Sequence, residues 1–278
     1  MLPDVTVPFS LAVLLADFRP CFTVPTFRVF RALVAGMLAA TGRRTVCGML
    51  VGAGLSRVWP HDRAHRFFSA AVWSADELGV TLARLAVRLL IPAGAPVTVA
   101  VDDTLFHRRG AKVWAASWFH DGSAVDTRQI GYGNNWVLAG IIVTLPCLDR
   151  QICLPVMARL VRKDTTSASR LWLAARMVEK LATALPGHTI HTVADAAYAG
   201  DELRTLPAPV TWTTRLRKNA ALDGGLAQEP AAPVPVGADQ PGVGDEVRRW
   251  DPEGRFDVRV DQLGGDVLAD PVQLAGVG

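Results

Sequence analysis

Residues 25–90 read as helices, because apolar positions recur every three or four residues. "FRVFRALVAGMLAA" and "RRTVCGMLVGAGLS" carry that spacing, and "HDRAHRFFSAAVW" follows Pro60. Ser74 and Glu77 form a capping box that opens "ADELGVTLARLAVRLL", which Pro92 and Gly94 stop. From Pro96 the period shortens. "VTVAVDD" is rich in β-formers, and "KVWAASWF" is a second candidate strand closed by the turn Asp121-Gly122-Ser123. "WVLAGIIVTL" and "ICLPVMARL" follow, with a short connection at Pro146–Gln151. Leu171, Ala174, Ala175, Val178, Leu181, Ala182 and Leu185 return to helical spacing behind Ser167 or Ser169 as the cap, and Pro186-Gly187 ends that helix. "HTIHTVAD" is a strand running into Asp195, a short helix lies near Gly200–Leu206, and "PVTWTTRL" is a last strand. This order predicts an α/β fold: a mixed sheet with flanking helices, after a helical N-terminal region.

The 278 residues hold one large domain or two ordinary ones, and an apolar content of 50% is enough for a sizeable core. No apolar run reaches the roughly 18 residues of a membrane helix. The start lacks a basic n-region and Asp17 interrupts its apolar patch, so neither a signal peptide nor a membrane partner is expected. Four cysteines, Cys21, Cys47, Cys147 and Cys153, form no CxxC pair and have no histidine at zinc-finger spacing. They read as ordinary buried thiols in a reducing, cytoplasmic compartment.

The net charge of +3 hides an asymmetry. Residues 1–222 carry 25 Lys and Arg against 15 Asp and Glu; residues 223–278 carry 4 against 11, with ten Gly, six Pro and no Lys. The basic body suggests a polyanionic partner. Arg43, Arg44, Arg57, Arg63 and Arg66 are interleaved in the helices, which suits either a DNA-binding region or a helical lid with solvated basic faces. Three regions result: a helical part over 1–95 with DNA binding as one reading, a core over 96–222, and a disordered or aberrant Gly/Pro/Asp-rich tail over 223–278.

Asp102 and Asp195 share a setting, each ending an apolar strand, "TVAVD" and "HTVAD". If those strands are parallel neighbours, both carboxylates emerge at one edge, where such sheets bind ligands. Two close carboxylates repel unless a cation lies between them, and a hard divalent ion bound by oxygen answers that conflict. A pair of such ions about 4 Å apart would activate a water or a 3′-hydroxyl and stabilise the leaving oxygen of a phosphodiester. The basic cluster His107, Arg108, Arg109 and Lys112 would then hold a DNA backbone beside the metals. An Asp at a strand end also serves as a turn or cap residue, and spacing alone leaves both readings open.

The words around the two acids are more specific. "VAVDDTLFHRRG.K", "GYGNNWV", "VADAAYAG" and "TTRLRKNAAL", in that order, resemble the DDE-type transposases of bacterial insertion sequences. The upstream "TGRRTVCGMLVGAGLSRVWPHDRAHRFFSAAVWS" also looks like that family, so the resemblance covers about Thr41 to Leu222. It implies a ribonuclease H-like catalytic fold, Mg²⁺- or Mn²⁺-dependent DNA strand cleavage and strand transfer, and inverted-repeat ends as the bound DNA. A nucleoid-associated location in the cytoplasm goes with it, and a homodimer is one assembly open to it. The family's first acid, in D-x-T, matches Asp102, with Asp103 the intervening residue and second candidate ligand. Its second acid, in D-x-x-Y, matches Asp195 with Tyr198. Arg215, Arg217 and Lys218 of "RLRKN" would lie near DNA or form a solvated basic loop. Asn134 and Asn135 match a motif whose role the sequence does not give.

The family's third acid is a Glu in Y-x-x-R-x-x-x-E on a helix. The chain has two tyrosines, Tyr132 and Tyr198, and neither begins that pattern. "RRWDPEG" offers Arg249, Trp250 and Glu253, but Pro252 and Gly254 break the required helix. Loss of resemblance and the compositional switch both fall near Leu222, as a frameshift in a GC-rich gene would produce. The expectation is a transposase by descent, weakly active or inactive, or a non-catalytic DNA-binding remnant that competes with full-length transposase.

Overall fold

The computed structural model describes residues 4–110, 112–122, 124, 129–163, 168–207 and 209–215. Five helices come first: α1 (Phe9–Ala16), α2 (Val24–Ala39), α3 (Val46–Gly52), α4 (His61–Ser69) and α5 (Ala75–Leu90). The strands β1 (Val97–His107), β2 (Ser117–His120), β3 (Ile130–Thr144) and β4 (Gln151–Leu160) follow, then α6 (Arg170–Ala184), β5 (Ile190–Ala194), α7 (Asp201–Arg204) and β6 (Val210–Thr214). Local chemistry sets several starts. The Ser74 hydroxyl accepts the Glu77 N–H at 3.2 Å, Thr45 caps α3 through the Gly48 N–H, and Ser169 caps α6 through the Trp172 N–H at 3.0 Å. Ser167, the other candidate cap, lies outside the described residues. Helix α1 is an addition to the sequence reading, which saw only an apolar patch there.

One face of α2 meets α3 at backbone contact. A Cβ on Gly36 would lie 1.8 Å from the Met49 carbonyl oxygen, and one on Gly52 would lie 2.4 Å from that of Gly36. Around this crossing Leu33, Leu50, Leu55, Trp59, Ala64 and Phe67 form a core separate from that of the sheet. Helix α5 serves both cores: Leu85 faces the helical one, while Ala83, Ala86 and Val87 face the sheet.

The sheet runs β4–β3–β1–β5–β6, with β2 sharing the edge of β3 that faces away from β1. Strands β1, β3 and β4 are antiparallel neighbours; β1, β5 and β6 are parallel. A parallel return needs a crossover, and α6 supplies it between β4 and β5. This is the ribonuclease H-like arrangement, and it sets a helical N-terminal part before a mixed sheet. Alternation in β1 divides the sheet's faces. Val97, Val99 and Val101 are fully buried toward α5 and α6, packed with Val137, Ala139, Ile141, Ile190, Met177 and Val178. Thr98, Ala100 and Asp102 point to the opposite, less covered face. Where Ala139 pairs Met157 and Gly140 pairs Pro155, Val156 is an extra residue that bulges β4, the place where a strand tolerates proline.

Three strand bounds differ from the sequence reading. β2 is only Ser117–His120, the last three residues of "KVWAASWF" and one beyond them, and β3 starts six residues before Trp136, taking in "GYGNN". More consequentially, β1 does not end at the two aspartates: it continues to His107, held in register with β3 as far as Gly133. Among the described residues no helix is long and apolar enough to cross a membrane.

Candidate active site

The pairing of β1 with β5 ends at Val101 opposite Ala194, so Asp102 and Asp195 are the next residues on neighbouring parallel strands. Asp195 leaves β5 in extended conformation and caps a single 3-10 turn, Ala196–Tyr198, by accepting the Ala197 N–H at 2.8 Å. Asp102 likewise accepts the N–H of Asp103 at 2.7 Å. Each carboxylate thus spends one oxygen on a backbone N–H. Among the described residues the second oxygen of each has no hydrogen-bond donor. Burial pushes the Asp102 carboxyl up from an ordinary 3.8 to about 6. The Asp103 N–H pulls it down, the charges of Asp195 and Asp103 push it further up, and Arg170 opposes them. The Cys153 thiol is pushed up to about 11, first by burial and then by Asp102. Cys153 overlies Gly140, the strand partner of Ala100, so Asp102 faces the same side of the sheet.

Asp103, one residue along, turns to the helix side and enters a different network. Its carboxylate accepts Arg170 Nη1 at 2.9 and 3.0 Å, Asn135 Nδ2 at 2.8 Å and the Tyr198 hydroxyl at 3.2 Å. Asn135 and Tyr198 are each 1% exposed, so these are interior bonds to a charge, the strong kind. Burial and the neighbouring Asp103 charge push the Tyr198 phenol upward, keeping it a neutral donor. Three separated words of the sequence, "DDT", "GNNW" and "DAAY", therefore converge on one carboxylate. Asn134 does separate work: it accepts Arg108 Nε at 3.0 Å and donates to the Trp114 carbonyl at 3.0 Å.

The basic candidates are spread out. Because β1 continues as a strand, Arg108 lies six residues past Asp102, about 20 Å along the chain at 3.3 Å per residue. Arg109 and Lys112 are exposed on the loop beyond it, and His107 pairs with the buried Asp121 at 2.9 Å. The cation beside the acids is instead Arg170, at the first turn of α6. Nothing in the sequence marked it, since it reaches Asp103 across 67 residues. Arg215 is exposed just past β6, and Arg217 and Lys218 lie outside the described residues.

Two carboxylates at one level, each with an oxygen open to coordination and one ionising reluctantly beside the other, suit a hard divalent cation. Asp102 and Asp195 would hold it. Asp103 is committed to Arg170, Asn135 and Tyr198 on the other side of the strand.

No curated protein matches the chain. Among solved structures, it is similar to a piggyBac transposase seen by cryo-EM in a synaptic complex with hairpin DNA, at 13% identity and a TM-score of 0.37. That match covers 81% of this chain and 50% of the other, so the chain spans about half that transposase's length. The model of the DDE superfamily endonucleases matches residues 17–260, starting before Thr41 and continuing past Leu222. Proteins of this superfamily are generally dependent on divalent metal, and the chain belongs to it.

Proposed function

We propose that the chain is a DDE-type transposase that cleaves and transfers DNA strands at inverted-repeat ends of an insertion sequence, using Mg²⁺ or Mn²⁺ held by Asp102 and Asp195. The observation that carries this reading is the level pairing of the two acids across β1 and β5, each with an oxygen to spare. The metal, when bound, supplies Lewis-acid stabilisation of phosphodiester oxygens and a low-pKa nucleophile. The chain's own residues supply position. The Asp103 N–H and the Ala197 N–H fix the two carboxylates, and Arg170, Asn135 and Tyr198 lock the middle of β1 through Asp103. Arg109, Lys112 and Arg215, with Arg217 and Lys218, would hold the DNA backbone away from the reacting phosphate.

These 278 residues hold no Y-x-x-R-x-x-x-E pattern, so in this reading catalysis by them alone rests on the two aspartates and is weak. Positioning and charge stabilisation supply nearly all of phosphoryl-transfer catalysis, so one missing ligand removes most of the rate gain. Divalent-metal-dependent nicking of inverted-repeat DNA tests it: weak nicking is expected, abolished by Asp102→Ala and by Asp195→Ala. Nicking that survives both substitutions sinks the site assignment.

A second reading, a DNA-binding competitor without catalysis, is favoured by one feature. The N-terminal helices carry their own core, and they and their connections expose Arg43, Arg44, Arg57 and Arg66. It predicts salt-sensitive binding of inverted-repeat DNA that Asp102→Ala leaves intact, with no nicking by the wild-type chain.

A further inference from the structure

A second cluster of metal-ligating side chains lies far from the carboxylates in sequence. Cys47 stands on the first turn of α3; His61 and His65 stand one helical turn apart on α4. Cys47 Sγ lies 3.9 Å from His61 Nδ1 and 3.9 Å from His65 Nε2, and all three donor atoms fall within 4.8 Å of one another. The imidazole rings sit 5.8 Å apart at their centroids. The sequence reading found neither a CxxC pair nor a histidine partner at zinc spacing, and it missed this cluster. The actual spacing is one cysteine, thirteen intervening residues, and a histidine pair at i and i+4. It also took all four cysteines as buried, whereas Cys47 and Cys147 are exposed.

We propose that Cys47, His61 and His65 form a Zn²⁺ site that staples α3 to α4. Zinc bonds of about 2.3 Å to sulfur and 2.0–2.1 Å to nitrogen, at tetrahedral angles, put sulfur and nitrogen donors about 3.5 Å apart. The observed 3.9 Å sulfur–nitrogen separations exceed this by only a few tenths of an ångström, and rotation of the exposed rings brings the two imidazole donors, which lie within 4.8 Å of each other, to the roughly 3.4 Å that the same bonds require. All three side chains are at the surface, where such rotamer shifts are cheap. One thiolate and two imidazoles select zinc over magnesium, which prefers oxygen. Three protein ligands leave the fourth position to water. The ion would close the segment between α3 and α4, which carries Arg57, and fix the helix that carries Arg63 and Arg66. The site is independent of the carboxylate pair, in place and in donor chemistry.

Cobalt substitution of the chelator-stripped full chain tests this. One equivalent of Co²⁺ should give tetrahedral d–d bands and a thiolate-to-cobalt charge-transfer band, both bleached by one equivalent of Zn²⁺. Cys47→Ser should remove the charge-transfer band. His61→Ala and His65→Ala should each weaken Co²⁺ binding by at least tenfold, and Asp102→Asn with Asp195→Asn should leave the spectrum unchanged. In the unaltered chain, one equivalent of Zn²⁺ should slow alkylation of Cys47, followed by peptide mass spectrometry, by at least tenfold while Cys147 reacts as before. A charge-transfer band that survives Cys47→Ser, or Cys47 alkylation indifferent to Zn²⁺, overturns the proposal.

Discussion

Replacing Asp102 with Asn should make the metal-free protein more stable. In the fold the carboxyl titrates at about 6 rather than 3.8, because burial and the charges of Asp195 and Asp103 oppose ionisation. The folded state therefore holds this proton more tightly than the unfolded chain. The stability Asp102 contributes is intact below about pH 3.8, falls as pH rises from 3.8 to 6, and stays lost above 6. At 1.36 kcal/mol per pH unit, the loss at pH 7.5 is on the order of 3 kcal/mol. Asn has the same shape, and its side-chain oxygen can still accept the Asp103 N–H that Asp102 takes at 2.7 Å. Urea unfolding in EDTA should give Asp102→Asn a gain of up to about 3 kcal/mol at pH 7.5, shrinking to about 1 kcal/mol at pH 4.5. A variant no more stable than wild type at pH 7.5, or a gain that does not change with pH, refutes the idea that Asp102 is a carboxylate ionised at a cost.

Three further outcomes follow from the same geometry. Arg170→Ala leaves the Asp103 carboxylate, 15% exposed, without its ion-pair partner, and should cost about 1–3 kcal/mol in urea unfolding. Gly36→Ala forces α2 away from the Met49 carbonyl and should cost about 1–3 kcal/mol in the same assay. Because a bound divalent ion must displace the Asp102 proton, Mn²⁺ affinity by electron paramagnetic resonance should fall about tenfold between pH 7.5 and pH 5.

The elements were legible where periodicity was strong. α5 begins at its capping box, β5 and β6 fall within their apolar runs, and β1 and β5 are parallel neighbours as the acid pairing required. The end of β1 was not legible. Two adjacent acids look like a strand end, yet cross-strand pairing with β3 carries the backbone five residues further. That error placed Arg108 and Arg109 too near the acids. Strand alternation puts Asp103, the second candidate ligand, on the opposite side of β1 from Asp102, and its partners there were hidden. Arg170, Asn135 and Tyr198 reach it from three elements, and only the folded sheet brings them together. The Cys47 cluster was hidden for the same reason, since its donors meet only because α3 and α4 pack side by side.

Mn²⁺ titration of four chains at pH 7.5 (wild type, Asp102→Asn, Asp195→Asn and the double variant) addresses the pair most directly. If one ion bridges the two carboxylates, each single substitution weakens binding by at least tenfold, and the double loses far less than the product of the two. Wild-type affinity in either single variant, or losses that multiply independently, would mean that the aspartates do not share a metal.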